Sequence, residues 1–405
     1  MASKPRASPH GGGGDGLERR RVDVLILSAG YGAGHNHAAA AVAEAVQLLR
    51  PGTVVQVVDY LDFFPAGLAP ATVGIYRLLT KRAPTAYGML YRLTSRMAHL
   101  RLWQSVEYRV GRLSLEAWLR EVTPAAVLGT HPLPLGVLGE IRRRTGLDVP
   151  VAGLMTDFVG HDEWLKPFVD RYYAPTDAMA AYLGAGGVPG SRLRVTGIPV
   201  RRTFWTPPDG RSARGVLGFD PTLPVVLFLT SALGTLGRVP AAVRALLAIP
   251  LRFRLVVVTG RDDRLQRQLA RWPVDPARLT VLGFEERVAL LMAAADVVVT
   301  KGGAITLSEA FAVGRPVVIY RPVPGQEAGN AQWVADHGAG RIARDDAALA
   351  AAVRMLLTAS RVREAVADRA RALGRPLAAL EVAADLLGLA RLPSRPVTAK
   401  RPAAP

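Results

Sequence analysis

KGGAITLSEAFAVGRPVVIYRPVPGQEAGN occupies residues 301–330, directly after the apolar run Val297-Val298-Val299. That run reads as a buried parallel strand, Gly302-Gly303 as its turn, and Ala304 to Val313 as the helix that follows. Such a turn presents backbone N–H groups at a helix N-terminus, where unsatisfied donors and the helix dipole favour a phosphate. Ser308-Glu309 falls inside the helix, about one turn from the phosphate end. A carboxylate there can accept hydrogen bonds from two neighbouring ribose hydroxyls. A plain strand-turn-helix unit would explain Gly302-Gly303 alone. The second polar cluster, Gly325-Gln326-Glu327 with Asn330, tips the balance. Gly302, Gly303, Ser308, Glu309, Gln326, Glu327 and Asn330 are therefore candidate contacts for an anionic nucleotide with many hydroxyls.

Outward from this stretch, strand-like and helix-like segments alternate. Val225 to Thr230, Leu255 to Thr259, Leu279 to Leu282, Val297 to Thr300 and Val317 to Tyr320 read as strands of a second series. A first series runs through Val22 to Leu27, Val54 to Val58, Ala125 to Leu128, Val151 to Met155 and Leu193 to Val195. Helical segments at Ala38 to Leu49, Leu133 to Arg144 and Asp177 to Leu183 separate them. The expected class is α/β, with two Rossmann-like doubly wound domains facing a cleft and helices at the C-terminal end. The expected boundaries are a basic, Gly-rich tail at 1–21, a first domain at 22–205, a proline-rich linker at 206–215, a second domain with its helices at 216–390, and a loose tail at 391–405.

The chain has 405 residues, half of them apolar, which suffices for two substantial cores. There is no cysteine, which excludes disulfides, thiolate metal sites and a cysteine nucleophile. The net charge of +18 calls for an anionic partner, a membrane surface or a nucleic acid. Only five of the 51 basic residues are lysine, so GC-rich coding explains the bulk charge as well as selection does. The local pattern is more informative. Residues 71–120 hold nine basic side chains against Glu107 and Glu116, interleaved with Tyr76, Tyr87, Tyr91, Trp103, Tyr108 and Trp118. That mixture suits the headgroup layer of an anionic membrane.

Four further motifs lie at strand ends and so on one rim. Gly30-Tyr31-Gly32-Ala33-Gly34-His35 joins the first strand to the first helix. Its glycines, Gly34 among them, permit close approach of a ligand, and His35 can take a proton from a hydroxyl. The spacing departs from G-x-G-x-x-G, which weakens a dehydrogenase reading. Thr156-Asp157 with His161 follows the strand at Val151, and a carboxylate and imidazole four apart can share a helical face and form an acid-base pair. With no third ligand in reach and no Asp-x-Asp, metal binding is not expected. Arg201, after Thr196-Gly197-Ile198-Pro199, can clamp a diphosphate, and the loop Thr230 to Gly237, including Gly234, suits donor contacts.

Taken in order, Gly32-Ala33-Gly34-His35, Thr156-Asp157 with His161 and Trp164, Thr196-Gly197-Ile198-Pro199, Gly283-Phe284, Thr300-Lys301-Gly302-Gly303, Ser308-Glu309-Ala310 and Pro324-Gly325-Gln326-Glu327 with Asn330 resemble a GT-B glycosyltransferase family. It is the family of monogalactosyldiacylglycerol synthases and processive diacylglycerol glucosyltransferases. The resemblance spans residues 22–390. It implies an inverting, metal-independent enzyme with no cofactor beyond its UDP-sugar donor, glucose being favoured over galactose. It also implies diacylglycerol as acceptor, contact with anionic lipids through residues 71–120, no nucleic acid, and a peripheral place on the cytoplasmic face of the membrane. By motif position, Glu309 would hold ribose, Gly302, Gly303 and Arg201 the diphosphate, Phe284 the uracil, and Gln326 with Glu327 sugar or ribose hydroxyls. The plant galactosyl enzymes carry an acid where this chain has Gly30, which leaves His35, Asp157 and His161 as candidate proton acceptors. The rivals are transfer to a polyprenyl-diphosphate sugar and a non-catalytic membrane-binding protein of the same fold.

Overall fold

The computed structural model describes residues 22–97, 108–230 and 238–392. The expected tail at 1–21, all of the expected tail at 391–405 but its first two residues, the loop holding Gly234, and Arg101, Trp103 and Glu107 of the basic segment lie outside the described residues.

Two six-stranded parallel sheets form the scaffold. β1 (Val24–Ser28), β2 (Val55–Asp59), β3 (Ala126–Gly129), β4 (Val151–Leu154), β5 (Arg171–Ala174) and β6 (Leu193–Val195) are ordered β2-β1-β3-β4-β5-β6. β7 (Val225–Leu229), β8 (Arg254–Val258), β9 (Leu279–Leu282), β10 (Val297–Thr300), β11 (Val317–Tyr320) and β12 (Gly340–Ala343) are ordered β12-β11-β10-β7-β8-β9. Helices cover both faces of each sheet, so strands such as β1 and β10 are buried along their whole length and read as unbroken apolar runs.

The strand order reverses between β1 and β3 in the first sheet and between β7 and β10 in the second. Connections leaving the two neighbouring strands there diverge to opposite sides, which opens a crevice at their carboxyl ends. Thr130 and His131 after β3 consequently lie beside the loop after β1. In the second sheet the Gly302-Gly303 turn leaves β10 at the equivalent point. The helices that follow, Ala33–Leu49 and Ala304–Ala312, approach one another, and a Cβ on Gly34 would fall 3.2 Å from Ile305 Cγ1.

Several expectations need correction. β5 and β12 are strands that no apolar run announces. The first helix begins at Ala33, five residues before its apolar segment. The second half of the expected linker is helical: Asp209 accepts from the Arg211 and Ser212 amides and starts the helix Gly210–Leu217. The C-terminal helix Ala378–Ala390 returns to the first lobe and packs on the helix Ala33–Leu49. Asp385 fastens it there by accepting from the Tyr173 hydroxyl at 2.9 Å and pairing with Arg171 at 3.0 Å. Between β2 and β3 the helices Leu68–Arg82 and Pro84–Met97 form a hairpin that reaches the second lobe, where a Cβ on Gly88 would fall 2.6 Å from Pro324 Cβ.

Candidate active site

A cleft of about 460 Å³ lies between the two sheets at the carboxyl ends of their strands. Gly34, His35, Asp157, His161, Arg201, Phe284, Gly303, Glu309, Gln326 and Glu327 all line it. Three helices point their N-termini toward this space, with Gly32, Gly303 and Gly325 as N-caps, and none of the three caps uses a side chain. Apart from the Ala328 amide, which donates to the Val323 carbonyl at 3.0 Å, their first-turn amides are therefore available to an anion, reinforced by three helix dipoles. Gly302, fully enclosed beneath the turn, has φ +100°, and a Cβ there would lie 3.0 Å from Ile319 Cγ2 and 3.2 Å from Glu327 O. At Gly303 φ is −64° and an added methyl meets nothing within 4 Å. Gly302→Ala is therefore expected to cost about 1–3 kcal/mol of stability. Gly303→Ala should barely move the urea midpoint while weakening UDP binding, because its methyl projects into the space an anion would use.

The donor side is built around Glu309 and Arg201. Glu309 is 5% exposed and accepts from Arg201 Nη2 at 3.3 Å. Burial pushes its carboxyl up to about 7, against the opposing pull of Arg201. The Arg201 Nε is buried without a hydrogen-bond partner among the described residues, so a donor remains for a ligand oxygen. Lys301 pairs with Glu327, whose other oxygen accepts from the Val323 amide at 3.2 Å. Gln326 accepts through Oε1 from the Tyr87 hydroxyl at 2.9 Å, which ties the hairpin to the donor loop. Phe284 stands at the rim, 60% exposed, with the Arg261 guanidinium 5.2 Å from its ring centre.

Across the cleft, His35 Nδ1 lies 2.7 Å from the Thr130 carbonyl oxygen and 2.9 Å from Thr156 Oγ1. A carbonyl can only accept, so the ring proton is on Nδ1 and Nε2 carries the lone pair. Burial lowers the His35 imidazole to about 4, opposed by the Thr130 hydrogen bond, which keeps it neutral. Asp157 accepts from Asn330 Nδ2 at 2.8 Å, and burial raises its carboxyl to about 7. Gly30 carries no acid because there is no room for one: a Cβ would fall 2.2 Å from Asp59 Oδ2, and Asp59 Oδ1 accepts from the Gly30 amide at 3.0 Å.

Three expected site residues have other work. His161 Nδ1 accepts from the Glu163 amide at 3.3 Å and Nε2 lies 3.1 Å from the Tyr91 carbonyl oxygen, so both ring nitrogens are engaged. It caps a short 3-10 turn and anchors the hairpin, and it shares no helical face with Asp157. Asn330 is fully buried and accepts from the Phe158 amide at 2.9 Å while donating to Asp157, so it staples the lobes together and meets no ligand hydroxyl. Ser308 opens into a smaller cavity of about 210 Å³ with Phe158, Trp333 and Arg375, behind the cleft. Conversely, Tyr76, Tyr87 and Tyr91, expected with the basic segment at a membrane surface, turn inward and line the cleft, as do His131 and Lys301, which were given no individual part. The signal for His131 was the His-Pro pair after an apolar run, an N-cap followed by proline at N1. Among the described residues no group of three His, Asp or Glu side chains is placed to hold a metal ion.

Comparison with known proteins places this geometry. Residues 35–200 match the family model described as monogalactosyldiacylglycerol (MGDG) synthase, and residues 238–381 match the glycosyltransferase family 28 C-terminal domain. The processive diacylglycerol beta-glucosyltransferase of Bacillus licheniformis is 31% identical over 318 residues, 78% of this chain and 82% of that protein. Its namesake from Bacillus cytotoxicus is 31% identical over 341 residues, 82% of this chain and 85% of that protein. Among solved structures, MurG of Acinetobacter baumannii superimposes with a TM-score of 0.58 at 18% identity, covering 91% of this chain and 99% of that one. HepE of Anabaena, solved with UDP-glucose, gives 0.54 at 16% identity over 91% of this chain and all of that one. These two likenesses are of fold, the GT-B arrangement of two facing α/β lobes. With its sequence matched along most of its length, the chain belongs to the diacylglycerol glycosyltransferase family of the MGDG synthases and processive beta-glucosyltransferases.

Proposed function

We propose that this protein transfers a hexose, glucose in preference to galactose, from a UDP-sugar to the hydroxyl of diacylglycerol with inversion at the anomeric carbon. The observation that carries this is the cleft, where unsatisfied helix N-termini and Arg201 face His35. The acceptor oxygen forms a bond to the anomeric carbon as the bond to the diphosphate breaks. The hydroxyl proton goes to His35 Nε2, and UDP departs with the electron pair. Helix amides and Arg201 stabilise the charge that develops on the diphosphate, so the proposed chemistry calls for no metal. Glu309 receives ribose hydroxyls, Phe284 borders the uracil, and Gln326 Nε2 is left for a sugar hydroxyl once Oε1 is held by Tyr87. The Lys301 pairing supports a secondary part for Glu327, keeping the Gln326 loop in place.

The hairpin supports a membrane site. Ile75, Leu78, Met89, Leu90 and Leu93 are exposed there, beside the exposed cations Arg77, Lys81, Arg82, Arg92 and Arg96. Among the described residues no helix is long and apolar enough to cross a membrane. From the exposed apolar and basic side chains of the hairpin, the proposed location is peripheral, on the cytoplasmic face of the membrane, with each cation near an anionic surface contributing about 1 kcal/mol. The test is incubation with vesicles of diacylglycerol and phosphatidylglycerol and a panel of UDP-sugars, read by mass spectrometry of the lipids. Hexosyl diacylglycerol should form fastest from UDP-glucose and more slowly when the anionic lipid is replaced by a neutral one. Hydrolysis of UDP-glucose without a glycolipid product, or transfer only to a polyprenyl-diphosphate sugar, would overturn the reading.

A further inference from the structure

Beside His35 stands a second imidazole that the transfer proposed above leaves without a task. His131 follows β3 and caps the helix Pro132–Thr145, its Nδ1 accepting from the Leu133 amide at 3.1 Å. Burial holds this imidazole well below its ordinary pKa, with His35 and His161 acting in the same direction, so the ring is neutral. A neutral ring that accepts at Nδ1 carries its proton at Nε2. His131 lines the cleft, and among the described residues its Nε2–H has no hydrogen-bond partner. His35 has the opposite polarity, with its proton on Nδ1 toward the Thr130 carbonyl and its lone pair on Nε2. The two rings, centroids 4.7 Å apart, thus set a proton acceptor and a proton donor side by side.

Position says what the donor meets. His131 lies between His35 and Tyr31, 5.9 Å from the Tyr31 ring centroid, and Tyr31 meets Tyr76 at 6.2 Å on the hairpin helix Leu68–Arg82. That hairpin carries the exposed apolar residues Ile75, Leu78 and Met89. A diacylglycerol runs in the same order: the reacting hydroxyl, then a glycerol carbon bearing an ester, then the acyl chains. With its hydroxyl at His35 and its chains at the hairpin, the group brought to His131 is an ester carbonyl, which can only accept. Resting on the proposed transfer, we infer that His131 Nε2–H donates to the ester carbonyl next to the reacting hydroxyl and so makes the enzyme prefer ester over ether lipids as acceptors. A dialkylglycerol has the same hydroxyl and similar chains but no carbonyl at that place. It would leave the donor covered and unpaired, and a site built around a donor rejects the analogue that lacks its acceptor.

The experiment measures kcat/KM with UDP-glucose on dioleoylglycerol and on its dioleyl ether analogue, in the same phosphatidylglycerol vesicles, for the wild type, His131→Asn and His131→Gln. The two variants separate substrate positioning from folding. Asparagine is a favoured N-cap that keeps an oxygen for the Leu133 amide and places no donor where Nε2 stood. Glutamine carries its amide nitrogen out to that place and gives up the cap. The wild type should favour the ester by roughly fivefold to tenfold, the usual net contribution of one hydrogen bond. In His131→Asn the ratio should fall close to one through loss on the ester, and His131→Gln should keep most of the preference with a lower unfolding midpoint. A wild type indifferent to the carbonyl, or equal losses on both lipids in His131→Asn, would overturn the inference. Infrared difference spectra of dioctanoylglycerol, isotope-labelled at its ester carbonyls and bound together with UDP, read the contact without turnover. The carbonyl stretch should be lowered in the wild type and not in His131→Asn, and an unshifted wild-type stretch would also overturn the inference. A shift that depends on His131, with no glycolipid formed from either lipid, would uphold the contact and count against the proposed reaction alone.

Discussion

Replacing His35 with alanine lowers kcat by about 10²–10⁴-fold, the usual contribution of a positioned general base, and leaves the affinity for UDP essentially unchanged. The expectation follows from the tautomer. The Thr130 carbonyl fixes the ring proton on Nδ1, which orients the Nε2 lone pair as the proton acceptor. His161 cannot substitute, because the Glu163 amide and the Tyr91 carbonyl occupy its two nitrogens. Asp157 is the one competitor, and pH separates the two. His35 is held down to about 4 by burial, so it is already deprotonated throughout the neutral range. Asp157 is held up to about 7 by burial and would lose its acceptor form as the pH falls through that value. With donor saturating, kcat that stays level from pH 8 to 5 identifies His35, and a fall below pH 7 identifies Asp157. A His35→Ala enzyme with wild-type kcat would reject the assignment, provided its unfolding midpoint matches the parent.

Much of this arrangement was legible because parallel strands buried on both faces are written as apolar runs, and ligand loops follow them at one rim. The strands that escaped carry other chemistry. β5 opens with Arg171 and buries Tyr172 and Tyr173, whose hydroxyls must find partners, Trp164 O and Asp385 in the fold. β12 pairs only with β11 and so lies at a sheet edge, which relieves it of a continuous apolar sequence. Side-chain direction was less legible than position. Ser308 and Glu309 are consecutive on a helix and so point about 100° apart. Only one could face the nucleotide, and the spacing alone does not say which. His161 and Asn330 were drawn in by their motifs, yet their partners come from the hairpin and the opposite lobe, contacts between residues about 70 and 170 positions apart in sequence. His131 escaped for the converse reason: only the reversal of strand order between β1 and β3 brings it to His35.

Glu309→Ala should weaken UDP binding by about 1.5–3 kcal/mol, roughly 10- to 150-fold in Kd, since two hydroxyl hydrogen bonds to a charged acceptor are lost together. Calorimetry with UDP alone checks this, and unchanged affinity would remove Glu309 from the ribose site. The electrostatics add a sharper expectation. A carboxyl raised to about 7 binds its proton more tightly in the folded chain than in the unfolded one. Its unfavourable effect on the empty protein is absent below the unfolded value, grows as pH rises, and is complete above about 7. Glu309→Gln should accordingly raise the urea midpoint of the unliganded protein at pH 8 and leave it nearly unchanged at pH 4. The same residue makes UDP binding proton-linked: hydroxyl donors need the ionised form, so wild-type Kd should rise as pH falls below 7, and binding at pH 6 should release a proton to the buffer. In the glutamine variant both the release and the pH dependence due to this group vanish, at lower affinity. The unliganded protein would thus hold a carboxylate in an unfavourable, dry place that the nucleotide's hydroxyls and the adjacent Arg201 make favourable. That is the expected cost of a preformed site, in which stability is given up where binding needs an unsatisfied acceptor.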